Sequence, residues 1–301
     1  MKKSIFIVFL IVLCVYTSAY MYLKKQDRIK YLPTAELKAN HLRKVIQKEI
    51  DSLGNHEWAG EYYYGDGLGV NVSLLLAPQS GFLFEWHGCL GLYDRNYGDV
   101  IVKNGIISLS FTYPNTQKGF QGIADTFIPV NWGERKYLIP TKNMVQFCND
   151  VNSGSEPRRS MHGMHLLKSG DNKKRVTGDP QLPEKFRKYL LKSPIIAEII
   201  EIGPITLKSG AGDWKFKETP IALNVGKQSG LLSGMELYII EPDNLTDSVT
   251  VGDVYNDHSK GTLTQFDKDA LEPQVGWKLS TVPRWSMHTS ENIEKEKEEA
   301  K

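Results

Sequence analysis

The sequence predicts a mainly β chain with a few helices: an N-terminal membrane segment, then an antiparallel meander, then a second small β-barrel domain. Three observations carry that expectation. An unbroken apolar run lies near the start, hydrophobic alternation of period two sets in after Trp58, and an Asn-Gly pair separates two such alternating runs.

The chain opens Met-Lys-Lys and continues with apolar residues from Ile5 to Val15, weakening through Tyr20 and Tyr22 to Leu23. Two positive charges before a short apolar core make a secretory pattern, with Thr17 and Ala19 as small residues ahead of a cleavage site. The stretch from Ile5 to Leu23 also approaches the roughly 20 residues that span a hydrocarbon core, with tyrosines where an interfacial belt would lie. Residues 1–30 are therefore read as a signal or an uncleaved anchor. Lys24, Lys25, Arg28 and Lys30 outnumber Lys2 and Lys3, and that bias alone would keep the body in the cytoplasm. The secretory pattern outweighs it in our reading. The body is expected outside the inner membrane, anchored facing the periplasm or secreted.

Residues 31–54 carry Leu42, Val45, Ile46, Ile50 and Leu53 at steps of three and four, with Lys38, Arg43, Lys44 and Lys48 on other faces. This is an amphipathic helix, packed on the body or laid on a lipid surface.

Residues 55–152 form the first β domain, a barrel or sandwich. Val70, Val72, Leu74 and Leu76 alternate with neighbours of the other face, as do Phe82, Phe84 and Trp86. Pro78 to Gly81 marks a turn. Asn104-Gly105 joins two alternating runs, because both central residues of a tight hairpin turn need positive φ. Thr141 to Val151 is expected to be a short helix capped by Thr141. Residues 153–193 are polar and basic and read as a connector. Residues 194–284 give the second β domain, with runs beginning near Ile195, Ala222, Leu237, Val249, Thr262 and Trp277. Residues 285–301 are a charged tail.

Trp58-Ala59-Gly60-Glu61-Tyr62 resembles the opening strand of lipocalin-like bacterial domains. That resemblance implies a barrel with an open mouth able to hold an apolar ligand. Leu223-Asn224-x-Gly226-x-x-x-Gly230-Leu231-x-x-Gly234-Met235 is similar to the C-terminal barrels of bacterial envelope and flagellar-assembly proteins. Its glycines are expected to supply positive-φ turns.

Composition narrows the function classes. Apolar residues make up 41% of 301, enough for two cores. There are 37 Lys and Arg against 35 Asp and Glu, and Lys2 and Lys3 supply the difference. No basic stripe of the kind that displaces counterions is present, so nucleic acid is set aside as a partner.

Candidate chemistry is sparse. His162 and His165, in Met161-His162-Gly163-Met164-His165, offer imidazole and thioether groups suited to a soft metal, but no acidic or cysteine partner adjoins them in sequence. Gly65-Asp66-Gly67-Leu68-Gly69 lacks the helix a phosphate cradle needs and reads as a hairpin turn. His87 and Cys89 share a strand face, but no orienting third group is visible. Cys89 and Cys148 are an even pair in an exported body, and a disulfide between them is expected; free thiols are the alternative. No cofactor and no catalytic set is expected. The reading is a non-catalytic binding or assembly module whose partners are the membrane and another envelope protein. The alternatives are a carrier of a small apolar ligand and a secreted hydrolase.

Overall fold

The computed structural model describes residues 35–65, 70–117, 121–154, 165–210, 214–242, 247–266, 269–284 and 286. The membrane segment expected over residues 1–30, His162 and the charged tail after 286 lie outside the described residues. Among the described residues, no helix is long and apolar enough to cross a membrane.

Two closed barrels dominate the fold. The first runs β1 (Gly60–Gly65), β2 (Val70–Ala77), β3 (Gly81–Gly88), β4 (Gly91–Lys103), β5 (Ile106–Phe111), β6 (Thr126–Trp132), β7 (Arg135–Pro140) and β8 (Leu166–Lys168). Neighbours in sequence are neighbours in the sheet, and β8 returns antiparallel to β1, with Tyr62 opposite Lys168 and Tyr63 opposite Leu167. Closure leaves no unpaired edge.

The second barrel contains β9 (Ile196–Ile202), β10 (Thr206–Ser209), β11 (Lys215–Leu223), β12 (Glu236–Glu241), β13 (Ser248–Val254), β14 (Ser259–Gln265) and β15 (Lys278–Ser280). Its order is β10-β11-β14-β13-β12-β15-β9, and β9 also pairs with β11. Six strands thus close, and β10 is left outside the ring.

The chain's contacts fall into two compact units. Among the described residues, one comprises those up to 61, from 72 to 101 and from 109 to 123; the other holds the rest. The first barrel contributes strands to both.

In the first unit a helix, α1, spans residues 35–53. Ala39, Leu42, Ile46 and Ile50 form its packing stripe, meeting Leu75, Ala77, Leu83 and Tyr97. Fully burying a side chain such as Ile46 contributes about 1.5–3 kcal/mol. Val45 and Leu53, counted in the expected stripe, instead face solvent. Because the stripe packs on Leu75, Ala77 and Leu83, β2 and β3 are buried on both faces there. Leu75 and Leu83 lie under α1, while Leu74, Leu76, Phe82, Phe84 and Trp86 alternate with them and fill the opposite face. Large side chains can fill the interior of an eight-stranded barrel.

Polar contacts fix the helix further. Glu85, buried on β3, is paired with Arg43 of α1 and, at 2.7 Å, with Arg95 of β4. Glu49 accepts backbone N–H bonds from Gln79 at 2.9 Å and Ser80 at 2.7 Å, holding the β2–β3 turn. Gly81 in that turn has φ +76°, and a Cβ there would sit 2.1 Å from the Gly98 carbonyl oxygen. The expected Asn-Gly turn is present, with φ +52° at Asn104 and +74° at Gly105.

In the second unit, α2 (Met144–Asn152) lays Met144, Phe147 and Cys148 on Ile128, Tyr137 and Leu167. No side chain caps it: residues Thr141–Asn143 form a 3-10 turn first, which moves the helix start past Thr141. A one-turn helix, α3 (Glu184–Arg187), follows within the stretch read as a connector. That stretch also supplies β8, so part of it belongs to the first barrel. The core of the second barrel is aliphatic, built on Ile199, Leu223, Leu237, Val249, Leu263 and Leu279. Gly230 and Gly234 have φ of +82° and +85°, as the glycine pattern predicts. Gly226 is different. Its φ is −143°, and glycine is needed because a Cβ would meet the carbonyl oxygens of Tyr255 and Asn256 at 2.5 and 2.7 Å.

Candidate interaction surface

An exposed apolar surface on the second barrel grows from its extra strand. β10 pairs with the first half of β11, with Leu207 opposite Lys217 and Lys208 opposite Phe216. Beyond Glu218, β11 turns inward and lays Thr219, Ile221 and Leu223 in the core. The β10–β11 hairpin therefore projects past the ring. All four β10 residues are exposed, and among the described residues the strand has no neighbour on its outer side.

Aromatic side chains collect at this hairpin. Gly210 donates its N–H to the Trp214 carbonyl at 2.8 Å. A Cβ on Gly210 would lie 2.4 Å from the indole, so glycine at this position leaves room for the Trp214 ring. The indole stacks on Phe266 of the segment after β14, centroids 5.4 Å apart and planes 12° from parallel, and it also meets Phe216 at 5.4 Å. Trp214 and Phe266 nevertheless remain 47% exposed, and Leu207 on the reverse face of the hairpin is 53% exposed. Lysines surround them. Lys208 lies 3.8 Å from Glu218, and Lys217 donates to the Ala270 carbonyl at 2.9 Å.

The arrangement is an exposed surface. It offers two things to a partner: rigid aromatic rings that lose little entropy on contact, and a strand edge with open backbone donors and acceptors.

The residues singled out from the sequence lie elsewhere. His165 is fully buried just before β8, its ring edge-on to Phe147. The acidic partner that sequence adjacency did not offer is supplied by α2: Asp150 Oδ2 stands 3.4 Å from His165 Nδ1. Among the described residues, no group of three or more His, Cys, Asp or Glu side chains is placed to hold a metal ion. His87 turns toward Glu85, 3.6 Å away, at the end of β3.

The expected disulfide is overturned. Cys89 and Cys148 are not joined: Cys89 is exposed in the β3–β4 turn and Cys148 is buried. The reason is where α2 puts its apolar face: Cys148 packs inward among Phe147 and Tyr137 as a small hydrophobic residue. Burial, with the nearby Asp150 carboxylate, pushes its thiol up to about 12.

Trp214, Phe216 and Phe266 were missed by sequence reasoning. The signal available was a tryptophan directly after Gly210-Ala211-Gly212-Asp213, since a glycine-rich turn seldom needs an indole for its own stability. No protein-family model matches the chain, and no curated protein or solved structure matches it either.

Proposed function

We propose that this protein is a non-catalytic binding or assembly module of the bacterial envelope, tethered to or secreted across the membrane through its N-terminal segment. It docks through the β10–β11 hairpin. The observation that carries this reading is Trp214 stacked on Phe266 while both remain half exposed, beside an unpaired strand edge. Soluble monomers seldom keep such rings in water without a use for them. A partner chain would add a strand to β10 and cover the rings, and aromatic anchors of this kind cost about 2 kcal/mol or more of binding when truncated. The carrier and hydrolase alternatives have no equivalent support from the hairpin.

The test is a photo-crosslinking amino acid at position 207, introduced into the full chain in cells. One discrete adduct that disappears with Trp214→Ala supports docking. Absence of an adduct, or an adduct indifferent to Trp214 and Phe266, overturns it.

A further inference from the structure

A second feature, independent of the β10–β11 hairpin, is the tip that joins β3 to β4. Residues 88–92 read Gly-Cys-Leu-Gly-Leu. Cys89 to Leu92 all face solvent, Leu90 at 91% and Leu92 at 40% exposure. Tight turns are ordinarily built from glycine and polar residues, whose side chains are stable in water. This tip keeps the glycines, with Gly91 at φ +100°, but sets leucines between them and beyond.

Basic side chains stand behind the leucines. His87, opposite Leu92 in the β3–β4 register, turns to Glu85 at 3.6 Å. The same carboxylate is paired with Arg43 of α1 and Arg95 of β4. Glu85 is buried, whereas the side chains of His87 and Arg43 are 47% and 36% exposed, so the basic members of the group meet solvent. An apolar wedge backed by basic groups suits a lipid head-group region: leucines enter the acyl boundary and cations meet anionic lipid.

The direction of α1 points to the same surface. Glu49 holds the backbone of Gln79 and Ser80 at the start of β3, while Arg43, earlier in the helix, reaches Glu85 further along the strand. α1 thus runs antiparallel to β3. From the Arg43–Glu85 pair the helix continues back to residue 35 for about 12 Å, and the strand continues to Leu90 for about 17 Å. Both end on the same side of the first unit. The apolar run ends at Leu23, so the chain from there to α1 spans at most about 40 Å. A membrane holding that run lies within reach of the tip.

We propose that Leu90 and Leu92, with Arg43 and His87 behind them, dock on a bilayer surface that carries anionic lipids. The proposal rests on the N-terminal segment being the membrane tether inferred above, and the tip sets how the tethered body lies on the bilayer.

The experiment reconstitutes the full chain in nanodiscs of phosphatidylcholine, alone or mixed with phosphatidylglycerol. A diazirine amino acid is placed at position 90 or, as a control, at exposed position 79 in the turn at the far end of β3. Lipid adducts are measured by mass spectrometry after illumination. In anionic discs adducts at 90 should exceed those at 79 on the order of tenfold, and should fall several-fold without phosphatidylglycerol. Adducts at 90 no more frequent than at 79, or equal in the two kinds of disc, overturn the proposal. Size-exclusion chromatography of the same samples reads the tether separately. A chain that co-elutes with both kinds of disc but gives no excess at 90 is tethered and not docked. One that co-elutes only with anionic discs and is labelled at 90 is docked and not tethered. One that elutes apart from both kinds loses both readings. The unaltered protein gives a second check: a neutral maleimide should modify Cys89 several-fold more slowly in anionic than in neutral discs, read on its own peptide. Equal rates also overturn the proposal.

Discussion

Asp150 on α2 places Oδ2 3.4 Å from Nδ1 of His165, and both side chains are shut away from water. The two residues are distant in sequence and are joined only because α2 packs across the strands that β8 completes. Asn149, beside Asp150, donates to the Gly234 carbonyl at 2.9 Å, so the same helix is also hydrogen-bonded to the turn before β12.

Removing one member of this pair takes a buried polar neighbour from the other. Asp150→Ala and His165→Leu should each destabilise the protein by about 1–3 kcal/mol, the cost of a buried polar group deprived of a partner. The double variant should lose less than the sum. Urea unfolding of all four forms checks this, and simple additivity would show that the two side chains do not interact.

The two thiols of the body should behave differently. Cys148, buried and with its thiol pushed up to about 12, should resist iodoacetamide at pH 8 in the native protein, while exposed Cys89 reacts. After unfolding without a reductant, both should be alkylated. Mass mapping of the two peptides reads the result directly.

Gly105→Ala isolates a conformational cost. A Cβ at this position would meet nothing within 4 Å, so only the φ of +74° penalises the change. The expected loss is about 1–2 kcal/mol, measured as a lower denaturation midpoint with an unchanged slope.

Acid should loosen α1 through Glu49. Burial disfavours its ionised form, but hydrogen bonds from Ser80 and Gln79 outweigh burial and hold the carboxyl below its ordinary 4.5. A folded value below the unfolded one gives stability that is complete above pH 4.5 and is lost as pH falls through the folded value. Glu49→Gln should flatten the pH dependence of the melting temperature below 4.5 and leave a small loss at neutral pH. An unaltered acid slope would rule out this role for Glu49.

Much of the architecture was legible from short-range pattern. Strand periodicity showed the meander because one face of each strand meets a core, and Asn104-Gly105 showed its hairpin because few other pairs tolerate two positive φ values. Periodicity failed where a strand is buried on both faces: nothing local at Leu75 or Leu83 says that α1 will cover them. It also misplaced Val45 and Leu53, since the packing stripe of a helix is set by the curvature of the surface it meets.

The sequence by itself determined the class of the fold, its tight turns and a near-neutral charge. Those properties depend on each residue and its near neighbours. Only the tertiary structure decided that β10 stays outside the ring, that Trp214 rests on Phe266, that Asp150 reaches His165, and that Cys148 turns inward. Each of these brings together residues far apart in the chain, or chooses between two faces of an element. That choice is made by packing, which no local pattern encodes.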